Sequence, residues 1–354
     1  ETSVHPLAGS FTCAVEDGDE DGVGPVYCWG VNSHLSLGLG GRKSRPKTEP
    51  TSPVAGGTLL FSEVHLGNQF ACAIAIEDPG DPDANGSGPV YCWGWNEYGQ
   101  LGAEVEGDQS SPIPITSDLD FFSLDVGVMG ACALAGDGTS AGPMYCWPNP
   151  PSSVPELVAG GMEFTDFATD FSTTCGIAAD GTAWCWEYYG APEQVDGVTQ
   201  FSSLAVDYSV FCGLNTGGEI LCWGERDVYG EIVWSEPVPV PMDLGTGPAA
   251  GESHFVAISP GFCAIGASGQ AYCWGSNQYG QIGDGTVSGS AFDWIEFPAA
   301  VGYPGQFSQI SDKKFHTCGT GTDGLAYCWG ANDTGALGDG SKTDSPLPVK
   351  VNKQ

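Results

Sequence analysis

The 354-residue chain carries 44 acidic and 10 basic residues, a formal net charge of −34. Such a charge opposes binding to a phosphate backbone. Its 54 glycines and 25 prolines argue against a mainly helical protein, while a 41% hydrophobic and 11% aromatic content suffices for a packed core. No apolar run approaches the length of a membrane span.

The chain repeats itself. A Cys-Trp pair recurs at Cys28, Cys92, Cys146, Cys185, Cys222, Cys273 and Cys328. Each has an earlier companion, at Cys13, Cys72, Cys132, Cys175, Cys212, Cys263 and Cys318, so all 14 cysteines fall into seven pairs. A Phe stands eleven residues before the first cysteine at Phe61, Phe121, Phe164, Phe201 and Phe307, and is missing from the first and sixth units. Seven units of about 51 residues match the size of four-stranded propeller blades.

In the first unit the segment between the cysteines is enlarged to DGDEDG (17–22), and in the second to DPDANG (81–86). Both read D-x-D-x-[DN]-G, the first half of a calcium loop, in which alternate oxygens converge on one hard cation and Gly permits the turn. The predicted ligands are Asp17, Asp19 and Asp21 with the Val23 carbonyl, and Asp81, Asp83 and Asn85 with the Ser87 carbonyl. The position for a bidentate Glu falls on Cys28 and Cys92, so water, Glu16, Asp78 or a neighbouring loop must complete each site. Solvated acidic tips are the simpler alternative. The third unit has only GDGTSAG (136–142), and Cys146 leads into WPNPP.

The fourth unit is the clearest hairpin. Cys175 and Cys185 lie equidistant from Asp180-Gly181, a strong turn signal, and can face each other across adjacent strands. The fifth and sixth units repeat this, and each pair is expected to form a disulfide within its own unit. The Trp after each second cysteine then points to the opposite face, between units. Fourteen regularly paired cysteines imply an oxidising, extracellular compartment. Metal binding by cysteine is disfavoured, because no C-x-x-C occurs. The tail SPLPVKV (345–351) resembles EPVPVPM (236–242), which precedes the next unit, so the last strand is expected to complete the first unit or to pair with a neighbouring molecule.

After Cys-Trp-Gly, WNEYGQLG (95–102), SNQYGQIGDGT (276–286) and ANDTGALGDGS (331–341) share one phrase, with a looser VNSHLSLGLGG (31–41) in the first unit. This phrase resembles the regulator-of-chromosome-condensation repeat. The resemblance implies an all-β, seven-bladed β-propeller of four-stranded antiparallel blades, here with one disulfide per blade, spanning residues 1–354 as one domain. The acidic, cysteine-rich chain resembles the secreted branch of that family. The repeat transfers no site residues.

No H-E-x-x-H, G-x-S-x-G or phosphate-binding Gly loop is present, and a non-enzymatic role is expected. Abundant carboxylate pairs read as solvated surface. Asn85-Gly-Ser and Asn332-Asp-Thr are glycosylation sequons. The expected function is an extracellular, calcium-binding structural or adhesive protein, assembling with itself into filaments. The alternative is a secreted module or inhibitor that binds a protein or glycan through one face.

Overall fold

The computed structural model describes residues 2–6, 11–16, 22–41, 46–76, 86–148, 152–170, 173–187, 190–197, 200–207, 210–224, 236–252, 254–259, 261–288, 294–313 and 315–352. It is all-β and every strand pairing is antiparallel. The first sheet runs β1 (Thr2–Pro6), β2 (Phe11–Glu16), β3 (Val26–Gly30), and bridges Tyr27↔Pro53 and Gly30↔Lys47 lay the following segment along β3. The second runs β4 (Leu60–Leu66), β5 (Phe70–Ile76), β6 (Val90–Gly94), β7 (Gln109–Pro114). Next come β8 (Phe121–Val126), β9 (Ala131–Ala135), β10 (Gly142–Trp147) and β11 (Glu156–Leu157), then β12 (Glu163–Thr169), β13 (Thr173–Ala178), β14 (Ala183–Glu187) and β15 (Glu193–Gln194). These eight form one sheet, because β10 also pairs with β12 through Gly142↔Phe164 and Pro143↔Glu163. Three further four-stranded sheets follow: β16 (Phe201–Asp207) to β17 (Val210–Asn215), β18 (Ile220–Gly224) and β19 (Glu236–Pro241); β20 (Phe255–Ser259) to β21 (Cys263–Gly266), β22 (Ala271–Ser276) and β23 (Trp294–Ala300); and β24 (Phe307–Lys313) to β25 (His316–Gly321), β26 (Ala326–Gly330) and β27 (Ser345–Lys350).

All seven expected disulfides are present, and no cysteine is free. Each pair sits directly opposite in the ladder, as in Cys175↔Cys185. Alternation sends the neighbouring Trp to the other face, and Trp29, Trp93, Trp147 and Trp329 are almost fully buried between units. The buried apolar clusters each join consecutive units, and one joins the last unit to the first through Ala14, Trp29, Cys318, Cys328 and Leu337.

Two sets of hydrogen bonds run around this circle. At the hairpin end, the glycine carbonyl of one hairpin accepts the N–H of the Phe that starts the next inner strand: Phe61 to Gly24 (2.8 Å), Phe121 to Gly88 (2.9 Å), Phe201 to Gly181 (2.9 Å), Phe255 to Gly218 (2.8 Å) and Phe307 to Gly269 (2.9 Å). The bond itself is open to any residue with a backbone N–H, and the Phe signature comes from the ring, which is buried in the joint. The same bond identifies Phe255 as the sixth unit's Phe, hidden in the sequence because a shortened turn leaves it eight residues before Cys263.

At the opposite end, the Asn-containing loops act on the next Trp. Asn32, Asn96, Asn277 and Asn332 are buried, and their side-chain carbonyls accept the N–H of Leu37, Leu101, Ile282 and Leu337 at 3.0–3.1 Å. The fold of the loop turns the preceding carbonyl outward. Trp93 Nε1 donates to Ser36 O (3.0 Å), Trp329 Nε1 to Gln281 O (2.9 Å) and Trp29 Nε1 to Ala336 O (2.8 Å). Gly338 has φ +69°, and a Cβ there would lie 2.7 Å from Trp29 Nε1, so the closing joint requires glycine.

This closure corrects the expectation for 345–351. That segment is β27, and it pairs with β26 through Tyr327↔Lys350, Cys328↔Val349 and Gly330↔Ser345. The likeness to EPVPVPM is real, but β19 is likewise the outer strand of its own sheet. The first and last sheets meet by side chains: Thr12 Oγ1 donates to Ala336 O (2.8 Å) and lies 2.9 Å from His316 Nε2. The Asn332 sequon is also corrected. Its amide nitrogen is fully buried and bonds Asp339, Ser341 and the Thr343 carbonyl, leaving no room for a glycan.

Replacing Asn332 with Ala should cost about 3 kcal/mol in denaturant unfolding, because it strands several buried partners at the closing joint. Burial lowers the His316 pKa to about 4. The unfolded chain therefore binds this proton first, so its share of stability is lost as pH falls from about 6.5 toward 4. Thermal melts of a His316→Gln variant should lack that part of the acid-side decline.

Candidate functional site

In each antiparallel sheet the Cys–Cys hairpin tip lies at one end and the loop after the third strand at the other. The predicted calcium ligands Asp17, Asp19, Asp21, Asp81, Asp83 and Asn85 lie outside the described residues. Val23 and Ser87 are described and occupy equivalent places. Each directly precedes the glycine, Gly24 or Gly88, that bonds the next inner strand at Phe61 or Phe121. The stems at Gly24 and Gly88 are thus anchored alike.

The inner strands bring together side chains that the sequence did not single out. His65 Nε2 lies 3.6 Å from Glu63 Oε2 within β4, and His65 Nδ1 lies 3.6 Å from Asp125 Oδ1 on β8. Asp125 Oδ2 accepts the N–H of Thr169 on β12 at 2.9 Å, and Asp166 Oδ2 on β12 accepts that of Leu204 on β16 at 3.0 Å. Ser259 on β20 donates to Asp312 on β24. These carboxylates tie inner strands of neighbouring units, which corrects their reading as solvated surface. Among the described residues, no group of three or more His, Cys, Asp or Glu is arranged to hold a metal ion.

Burial alone would lower the His65 pKa, but hydrogen bonds and charge from Asp125 and Glu63 carry it up to about 9. Burial raises Asp166 to about 6, opposed by the N–H groups of Leu204 and Phe167 and reinforced by the negative charges of Asp125 and Glu63. The cluster is an internal brace of paired charge.

The other end presents a different surface. Trp95 lies between His34 and Tyr98, with ring centroids 5.6 and 5.5 Å away. Asp108 accepts the Asn96 N–H at 3.2 Å through Oδ1, and its Oδ2 lies 3.0 Å from His34 Nδ1. The loops of the first two units are thereby fixed to each other. Leu35 has φ 66° at the place held by Gly99, Gly280 and Gly335 in the other loops, a local strain of about 1 kcal/mol.

The family model for the Regulator of chromosome condensation (RCC1) repeat matches residues 87–134, 268–319 and 323–353. Those segments include the three closest copies of the loop phrase. The human E3 ubiquitin-protein ligase HERC2 is 26% identical over 356 residues, covering 93% of this chain. The chain spans only 6% of that relative's length. A chain in the crystal structure of Kap60 bound to yeast RCC1 (Prp20) superposes with a TM-score of 0.71 at 18% identity, covering 93% of this chain and 83% of its own. The CRINKLY WD40 ectodomain of the Arabidopsis thaliana receptor kinase ACR4 superposes at 0.57 with 17% identity, covering 99% and 97%.

Replacing Asp166 with Asn keeps an acceptor for Leu204 and removes a buried charge. The folded wild type holds this proton more tightly than the unfolded chain, so its stability falls as pH rises from about 4 to 6. The variant should lose that decline and gain roughly 2–3 kcal/mol at pH 8 relative to wild type, measured by urea unfolding.

Proposed function

The chain carries regulator-of-chromosome-condensation repeats on an RCC1-like propeller fold, and on that premise we propose that it is an extracellular, non-catalytic binding propeller with a structural or adhesive role. Its seven cysteine-paired hairpins correspond to seven blades of one domain. The eight-stranded sheet is then two blades sharing the β10–β12 pairing. The observation that carries the location is the disulfide set: every cysteine is paired, each within one hairpin. A chain that leans on seven such bonds suits an oxidising compartment, and an extracellular receptor ectodomain among its structural neighbours agrees with this.

Calcium is the proposed cofactor of the first two hairpin tips, held by Asp17, Asp19, Asp21 and Val23, and by Asp81, Asp83, Asn85 and Ser87. The equivalent anchoring of the two stems supports a shared role, and bound cations would offset part of the −34 charge. Outer strands carry Pro112 and Pro114, Pro237, Pro239 and Pro241, Pro298, and Pro346 and Pro348. Proline lacks the N–H that strand addition needs, so filament growth by edge pairing is disfavoured. Partners, whether another protein, a glycan or a second copy, are therefore expected at the loop ends.

Alkylation under denaturing, non-reducing conditions should label no cysteine, and labelling of several would defeat the extracellular assignment. Millimolar calcium should raise the melting temperature by about 3 °C or more over the chelated protein. An unchanged melt and no bound metal by mass spectrometry would remove calcium from the account.

A further inference from the structure

We infer that the loop end of the first two repeats carries an aromatic platform, centred on Trp95 and Tyr98, that seats the cationic side chains of a basic protein segment. This rests on the binding role proposed above and names the partner's chemistry. The other repeats serve as internal controls. Trp95 occupies the place held by Val31, Ser276 and Ala331, so the loop does not need an aromatic there. Its presence has a structural cost. In the equivalent loop Gln281 Nε2 reaches Ser276 Oγ at 3.5 Å, whereas Gln100 is fully buried and its Nε2 has no hydrogen-bond partner among the described residues. A residue that strands a buried donor yet stays partly exposed is poorly explained by stability.

Tyr98 differs from its counterpart in the same way. Tyr279 packs across the joint on Phe315, with centroids 5.6 Å apart. Tyr98 instead packs edge-on, at 84°, against Trp95 and is 54% exposed. The Asp108 contacts to His34 and Asn96 hold the platform in place before any partner arrives.

Charge selects the partner. No Lys or Arg occurs from residue 48 to residue 225, so the repeat that carries Trp95 and Tyr98 has none, while Arg42, Lys43, Arg45 and Lys47 follow the loop phrase of the first repeat. Glu97, Glu104 and Glu106 are exposed in the platform's own loop. Aromatic faces ringed by carboxylates attract Arg and Lys by cation–π contact and by the wider field. Nucleic acids and anionic glycans are repelled, and a neutral glycan gains nothing from the charge.

The test is binding of a fluorescein-labelled hexa-arginine peptide, at about 0.15 M salt to screen the general charge. The W95S/Y98T double variant should bind about tenfold more weakly than wild type. Asp180→Asn, at an exposed hairpin tip, should change affinity less than about twofold by the same energy scale. W95S alone should melt higher than wild type, because Gln100 regains a hydroxyl partner, which also verifies folding. Equal peptide affinity for W95S/Y98T and wild type would overturn the platform. Trp95-dependent binding of cellohexaose, with hexa-arginine binding unaffected by the variants, would overturn the choice of partner. Free thiols on alkylation would defeat the extracellular reading and leave the peptide result standing.

Discussion

The structure depends on a hydrogen bond that reaches from one repeat to the next. Each hairpin staples itself with a disulfide, but a stapled hairpin has one apolar face still to cover. The indole N–H of a buried Trp and the carbonyl of the preceding loop fix how the next unit covers it. The buried Asn is what shapes that loop, by occupying the N–H five residues on. Because the same contact links the last unit to the first, the circle closes without exchanging a strand.

The circle is not uniform. At three of the four joints that carry the loop phrase, the clasp is loop carbonyl to Trp. The third and fourth units lack that loop and share a continuous sheet through β10 and β12 instead. Between the second and third units the loop packs on Trp147, but the indole N–H has no hydrogen-bond partner among the described residues. Inner-strand carboxylates compensate on this side of the molecule, with Asp125 and Asp166 each accepting a backbone N–H from the next unit. In a chain of this net charge, acids used as internal acceptors also place negative charge where an N–H or an imidazolium answers it.

Much of this was legible in the residues. The hairpins and their disulfides could be read because Cys175 and Cys185 are equidistant from Asp180-Gly181, and local geometry does the rest. The loop phrase pointed to the family for the same reason: its Asn, Leu and Gly act within one turn. What the sequence concealed is long-range. Glu63, His65, Asp125 and Asp166 are four among many titratable residues, and only the circular arrangement brings them together. Residues 345–351 pair with β26, and neither with the first unit nor with a neighbouring molecule, because the Pro-alternating pattern of outer strands says where a strand sits in a sheet and not which sheet it joins. Phe255 does not stand out in the sequence because a shortened turn breaks its spacing. The acidic tips that suggested calcium lie outside the described residues, so their assignment still rests on oxygen spacing and on the equivalent stems at Gly24 and Gly88.

The most direct measurement is hydrogen exchange of the indole N–H protons, resolved by NMR. The account predicts slow exchange, close to global unfolding, for Trp29, Trp93 and Trp329. Rapid exchange at Trp29 alongside protection at Trp93 would mean that the last repeat does not clasp the first, and would contradict the closed circle.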